Sequence, residues 1–316
     1  MQQDILTLTL NPALDLAAEA PQVVPAIKLR LSEPSIEPGG GGINVARAIR
    51  QLGGSAGVLA ALGGVTGARL AEALRGEGIE PEIFAIAGET RQSLVVTDAG
   101  DGRQFRFIQP GPQWTAAQGR ALLEHLAARL RPDSWLVLSG SQPPGLAPDF
   151  AVDLAQQAAR AGARLVVDIS GEPLRALIDA GEAVACLRLD QAEAEAQAGH
   201  PLASAADSLA FAEALVARGA AQLVVLARGA EGSVLAGQGQ RLRCQPPSVR
   251  VLSRTGAGDS FTAGFTLAMA RGEGPGAALA LGTAAAAAAV MTPGSALCRR
   301  ADTEALLPQC RLWADP

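Results

Sequence analysis

From residue 115 onward, amphipathic helical stretches alternate with short runs of uninterrupted apolar residues, and this alternation restricts the fold more than any other feature. Helical patterns at 116–130, 150–161 and 202–218 precede apolar runs at 135–138, 164–168 and 222–227. A strand apolar on both faces must be covered on both, and joining two parallel strands takes a crossover, usually a helix. The expected fold is α/β, a mostly parallel sheet flanked by helices. Ligands of such sheets gather beyond the carboxyl ends of the strands, where Ser139-Gly-Ser141, Asp168 and Arg228-Gly229 fall.

Ahead of this region, residues 5–10 and 58–62 read as strands, and 43–52 and 67–76 as helices. Two stretches leave the pattern. Residues 16–38 are Pro-rich with short β-like pieces; in 91–110, Leu94/Val96 and Phe105/Phe107 flank Asp98-Ala-Gly-Asp-Gly102, a hairpin signal. The two are expected to pair as a small β appendage on one domain spanning 1–316.

A chain of 316 residues that is 48% hydrophobic can bury a full core. Its net charge of −5 and the absence of any Lys/Arg block argue against nucleic acid or a membrane surface as partner and favour small molecules. Residues 277–291 are mostly Ala, shorter and less apolar than a bilayer span requires, and read as a packed core helix. With no export signal before the first strand, a cytoplasmic location is expected. Cys186, Cys244, Cys298 and Cys310 lack metal-like spacing and read as free thiols; His125 and His200 sit in contexts that suit structural or surface roles. Arginine occurs 25 times and lysine once, at Lys28, which singles that position out as one where a compact charge is wanted or as a chance survivor.

The strongest chemical signal is Thr255-Gly-Ala-Gly-Asp-Ser-Phe-Thr-Ala-Gly264, a glycine-rich turn leading into an apolar helix read at 261–270. Unpaired N–H groups and the dipole at a helix start bind anions, and Gly256, Ala257 and Gly258 let the backbone approach a phosphate. Asp259 beside that anion site either takes a proton from an attacking hydroxyl or caps the helix. Gly39-Gly-Gly-Gly42 before a second helix is a further anion or sugar site or a plain turn, with Asn44 offering an amide. Asp15, after Asn11-Pro12 at the end of the first strand, would grip hydroxyls at the same edge, and Arg91 would fork onto a phosphate. A Walker A loop is absent because the only lysine lies in Ala-Ile-Lys28-Leu. No acid follows the Gly39 stretch at dinucleotide-fold spacing, and no protein-kinase HRD/DFG pair occurs.

Together these segments resemble the PfkB carbohydrate kinases over nearly the whole chain. The resemblance rests on Leu8-Thr-Leu-Asn-Pro-Ala-Leu-Asp15, Lys28-Leu-Arg30, Glu37-Pro-Gly-Gly-Gly-Gly-Ile-Asn-Val-Ala-Arg-Ala48, Thr90-Arg-Gln92, Ser139-Gly-Ser-Gln-Pro-Pro-Gly145, Val167-Asp-Ile-Ser-Gly-Glu172 and Thr255-Gly-Ala-Gly-Asp-Ser260. It implies a ribokinase-like fold whose β appendage is a lid pairing two subunits into a homodimer, and ATP-dependent phosphorylation of a ketohexose phosphate, closest to the minor-type bacterial 6-phosphofructokinases. It further implies Asp259 as base and the amides of Gly256, Ala257 and Gly258 as anion hole. Asp15, Gly40, Gly41, Asn44, Arg91 and Ser141 would hold the sugar phosphate, with Lys28 near the phosphates. Ala227, Gly229, Gly232, Thr283 and Ala287 match nucleotide positions. Ser253, Thr255, Ala289 and Gly294 match a loop for a monovalent cation such as K+.

One departure is implied by the same resemblance. The family pattern Lys-Pro-Asn-x-x-Glu, whose Asn and Glu organise Mg²⁺ around ATP, reads here Arg188-Leu-Asp-Gln-Ala-Glu193. Asp190 is then expected to slow turnover or raise its Mg²⁺ dependence, with Glu193 retained. Related kinases for fructose 1-phosphate or tagatose 6-phosphate carry Gly-Gly-Lys-Gly where this chain has Gly39-Gly-Gly-Gly42, which favours fructose 6-phosphate. A sugar-phosphate sensor without turnover is the alternative of a different class.

Overall fold

The computed structural model describes residues 4–315; the leading Met-Gln-Gln lies outside them. The chain opens with β1 (Ile5–Thr9), β2 (Ala13–Ala20), β3 (Ser35–Gly39), α1 (Gly41–Gln51), β4 (Gly57–Leu62), α2 (Gly64–Gly76), β5 (Pro81–Ala85), β6 (Arg91–Asp98) and β7 (Gln104–Ile108). It continues with α3 (Ala116–Ala127), β8 (Trp135–Ser139), α4 (Phe150–Ala161), β9 (Arg164–Asp168), α5 (Gly171–Ala180), β10 (Val184–Asp190), α6 (Gln191–Ala198), α7 (Ala205–Ala217) and β11 (Ala221–Ala227). The last elements are β12 (Ser233–Gly237), β13 (Gln240–Gln245), α8 (Ala257–Ala270), α9 (Gly274–Val290), α10 (Arg300–Leu306) and β14 (Arg311–Ala314).

Among the described residues a 10-stranded sheet runs in the order β14-β13-β12-β11-β10-β9-β8-β1-β4-β5. From β5 through β11 every pairing is parallel, and β12, β13 and β14 extend that edge antiparallel. Side chains alternate across the sheet. Leu136 and Leu138 pack into the core under α3, α4 and α7, whereas Trp135 and Val137 pack into the opposite core with α1, α8 and α9. The chain order reverses at β1, which lies between β4 and β8, so a crevice opens at the carboxyl ends of β1 and β8.

A 4-stranded sheet, β3-β2-β6-β7, stands apart from the first. It joins the two stretches that interrupt the helix and strand alternation: β2 pairs with β6 in parallel, and β6 turns through Asp98–Gly102 into β7. Phe107 and Ile108 on its edge strand remain 58% and 60% exposed, and Ile36 at the opposite edge 42%.

Helices α8 and α9 meet at glycines. A Cβ on Gly264 would lie 2.9 Å from the Leu281 carbonyl oxygen, and one on Gly282 would lie 3.0 Å from that of Phe261. The alanine-rich segment is therefore a helix packed tightly enough to need the missing side chains. Among the described residues no helix is long and apolar enough to cross a membrane.

Several local expectations are corrected. Helix α8 begins at Ala257 rather than 261, because Gly256 takes φ +79° and turns the chain into the helix one turn earlier. Helix α7 begins at Ala205, where Ser204 and Asp207 form a capping box, and α3 stops at Ala127. Asp15 is not on the edge of β1: the chain leaves the large sheet after Thr9, and Asp15 lies inside β2 of the small sheet, paired with Glu37 and Ser93.

Candidate active site

The site forms where α1 and α8 point their N-termini at the crevice. Gly40, with φ +119°, leads into α1; a Cβ at Gly41 would lie 2.6 Å from the Gly140 nitrogen, so glycine lets α1 lie against the end of β8. Thr9 accepts the Ile43 N–H at 2.8 Å and anchors that first turn to β1. Across the crevice, Ala257, Gly258 and Asp259 occupy the first turn of α8, whose N–H groups lack intrahelical acceptors and carry the positive end of the helix dipole.

Asp259 makes no capping bond to its own helix. Its Oδ2 accepts a hydrogen bond from Asn44 Nδ2 at 2.9 Å. It lines a cavity of about 190 Å³ with Ser141, Asp168, Arg188, Glu193 and Gly258. Burial, reinforced by the charge of Asp168, pushes the Asp259 carboxyl up to about 6, while the Asn44 bond and Arg188 oppose the rise. Burial likewise pushes Glu193 up to about 7, with Asp190 and Asp168 adding to it. A carboxylate poised near neutrality beside free backbone donors can take a proton from a hydroxyl while the donors hold a phosphoryl group.

At the small-sheet end, Arg91 donates to the Asn11 carbonyl at 3.2 Å, the Gln109 carbonyl at 3.3 Å and Ser141 Oγ at 3.4 Å. Asn11 also donates to Ser141 Oγ at 3.3 Å, and its Oδ1 is buried without a partner. Asp15 rests on Gly39, and burial raises its carboxyl pKa against the bond to Ser93 and the charge of Arg91. These groups surround the approach to Asp259 with a cation, a carboxylate and amides, a set suited to a phosphorylated polyol.

The expected nucleotide and metal positions separate. Asp190 is the N-cap of α6: its Oδ1 accepts the Glu193 N–H and Glu193 Oε2 accepts the Asp190 N–H, both at 2.8 Å. Glu193 thereby keeps Oε1 without a hydrogen-bond partner among the described residues. No cluster of three or more His, Cys, Asp or Glu suited to a metal occurs among them. Gly229 and Gly232 have φ +57° and +92° in the turn after Ala227. Thr283 and Ala287 are buried at 3% and 6% exposure on α9, so they form a floor rather than an open wall. Ser253 donates to the Gly294 carbonyl at 2.6 Å and accepts the Thr255 N–H, which brings these three together, while the Ala289 carbonyl accepts from Thr292. Lys28 is exposed in the connection between β2 and β3 and does not line the cavity.

Three residues of this site have no role that the sequence motifs assign: Asn11, Asp168 and Arg188. The signal for Asp168 was its place at the end of a parallel strand. A larger cleft of about 340 Å³ lies away from Asp259, lined in part by Arg47 and Arg300, which pair with Glu77 and Glu304. His125 bonds Glu82 and His200 its neighbouring Pro201 carbonyl, both outside the cavity.

Residues 9–302 match the family model described as pfkB family carbohydrate kinase. The ATP-dependent 6-phosphofructokinase isozyme 2 of Mycobacterium tuberculosis is 36% identical over 300 residues, 95% of this chain and 88% of that protein. The 1-phosphofructokinase of Xanthomonas campestris is 38% identical over 272 residues, 85% of each. Solved structures of phosphofructokinase-2 from Escherichia coli, in complex with potassium and with fructose-6-phosphate, superpose with TM-scores of 0.93 and 0.90; each is 36% identical, covering 97% of this chain and 99% of that one.

Proposed function

This chain belongs to the pfkB family of carbohydrate kinases, and from that membership we propose that it transfers the γ-phosphoryl group of ATP to the 1-hydroxyl of fructose 6-phosphate, with Asp259 as base. That it is an ATP-dependent sugar kinase follows from the family and from relatives named for that activity. The observation that carries the assignment of the base is the placement of Asp259 in the first turn of α8, held by Asn44 and open to the cavity.

The 1-hydroxyl attacks the γ-phosphorus in line, its proton passes to Asp259 Oδ, and the bond from phosphorus to the bridging oxygen breaks as ADP leaves. The N–H groups of the Gly256–Gly258 turn and the first turn of α8 hold the charge on the transferred group. Asp15, Asn44, Gly40 and Gly41 orient the sugar hydroxyls; Arg91 and Ser141 take its phosphate, and Lys28, exposed in the connection between β2 and β3, adds a positive charge from outside the cavity. The small sheet acts as a lid over the acceptor. Mg²⁺ supplies charge neutralisation on the triphosphate, and Glu193 with one free oxygen suits an ion that relies on one or two carboxylates plus phosphates. A monovalent cation such as K+ suits the oxygen-rich loop of Ser253, Thr255, Ala289 and Gly294. Ala227, Gly229, Gly232, Thr283 and Ala287 bound the nucleotide's base.

A second acceptor, fructose 1-phosphate, is favoured by the 38% identity to a 1-phosphofructokinase. The exposed Phe107 and Ile108 support pairing of two copies through the small sheet, and one Escherichia coli neighbour is described as a tetrameric inhibited form.

The test is ADP release with MgATP against fructose 6-phosphate, fructose 1-phosphate, tagatose 6-phosphate and fructose, with Asp259→Ala in parallel. Preference for fructose 6-phosphate, lost in the variant, is expected. Wild-type silence on all four acceptors, with ligand-induced thermal stabilisation, would establish the sensor instead.

A further inference from the structure

Asp168 ends β9 at the wall of the cavity, with its side chain only 10% exposed. Its two carboxylate oxygens are both engaged: Oδ1 pairs with Arg188 Nη1 at 3.1 Å, and Oδ2 accepts the Thr262 hydroxyl of α8 at 2.8 Å. Arg188 of β10 is 13% exposed, and its Nε is buried with no partner. The guanidinium lies against the anion-binding turn, because a Cβ on Gly258 would meet Nη2 at 3.2 Å and Nη1 at 3.3 Å. A buried guanidinium tied by one nitrogen to one carboxylate leaves donors unspent, and this one borders the cavity that holds Asp259.

We propose that Asp168 is a positioning residue of this reaction: it ties the Arg188 guanidinium to the start of α8, so that its remaining N–H groups face the space where the phosphoryl group moves. The inference rests on the kinase reading above. The family pattern has lysine where Arg188 stands, and an ammonium is a point charge indifferent to rotation. A planar fork acts only when its plane is set, and Asp168, itself braced by Thr262, sets it. The same carboxylate places a negative charge beside the base. Asp259 is faced by Asn44 from α1, Asp168 from β9, Arg188 from β10 and Asp15 from β2, while Glu193 of α6 lines the same cavity. Of these, Asp168 and Asp15 raise its affinity for a proton, and Asn44 and Arg188 lower it.

The two members of the ion pair therefore shift the pH profile in opposite directions, a signature that loss of structure does not produce. The experiment records kcat against pH, with MgATP and fructose 6-phosphate, for wild type, Asp168→Asn, Arg188→Met and Arg188→Lys. Asp168→Asn is expected to lower the plateau by on the order of tenfold or more and to move the acid limb down by about one pH unit. Arg188→Met is expected to lower the plateau similarly and move that limb up; Arg188→Lys keeps part of the rate. The double variant Asp168→Asn/Arg188→Met is expected to lose no more than the worse single variant. Retention of the wild-type plateau and limb by Asp168→Asn in an active enzyme overturns the inference while leaving the kinase reading intact. Should Asp168→Asn fail to fold in a thermal melt, the limb of Arg188→Met decides: an upward shift supports the pair and an unmoved limb overturns it. A wild-type chain that forms no ADP overturns both.

Discussion

Asn44 and Asp259 are 215 positions apart in the chain and 2.9 Å apart in the fold, so one hydrogen bond joins the first turns of the two helices that face the crevice. That bond favours the ionised form of Asp259. Asn44→Ala is expected to move the acid limb of the rate profile above its wild-type position and to lower kcat, checked by steady-state rates from pH 5 to 9.

Asp259→Asn removes the proposed base and is expected to reduce kcat by about 10²–10⁴. Stability should change in the other sense. A carboxyl whose folded pKa of about 6 exceeds its unfolded value binds its proton more tightly when folded. Its stabilising contribution is present below the unfolded value and lost as pH rises through 6. The variant should therefore melt higher than wild type at pH 8, with the difference shrinking toward pH 4. Calorimetry across that range checks it, and an equal melting temperature at pH 8 contradicts it.

Arg91 touches Ser141 and two backbone carbonyls at the acceptor end. Arg91→Ala is expected to raise KM for the sugar phosphate by about tenfold or more with a much smaller change in kcat, because it removes ground-state binding. A fall in kcat at constant KM would place Arg91 at the transferred group instead.

Asp190 is tied to Glu193 by two 2.8 Å bonds. Asparagine caps a helix about as well as aspartate, so Asp190→Asn should melt like wild type and lower the Mg²⁺ concentration needed for half-maximal rate. Asp190→Ala should cost about 1 kcal/mol of stability. An unchanged Mg²⁺ requirement in the asparagine variant removes the metal-related role.

Light scattering is expected to give a mass near twice 32.1 kDa at micromolar concentration, and Phe107→Lys is expected to halve it. A monomeric wild type rules out pairing through the small sheet.

The parallel sheet is legible in the sequence because its strands are apolar on both faces, and the helix start that carries Asp259 because a glycine-rich turn precedes an apolar helix. What stays hidden is long-range or cooperative. Asp168 reads as an ordinary strand-end residue until β10 brings Arg188 beside it and α8 brings Thr262. Asp190 reads as a metal-directed change, yet its spacing to Glu193 is equally that of a capping box, and local pairing engages one oxygen of each carboxylate. Asp15 is misplaced because the chain passes from the large sheet into the small one between Thr9 and Ala13, an event that apolar periodicity does not encode.

The glycine contact between α8 and α9 reaches beyond packing. Gly264 lies in the same helix as Asp259, and its Cα side meets the Leu281 carbonyl and Gly282 with no room for a methyl. Because a helix moves as a rod, an alanine there would be felt at its far end, as an altered angle of Asp259 toward the cavity. A narrow tolerance to inherited change thus sits outside the cavity, and variants harmful to catalysis can arise there with every residue of the site left in place.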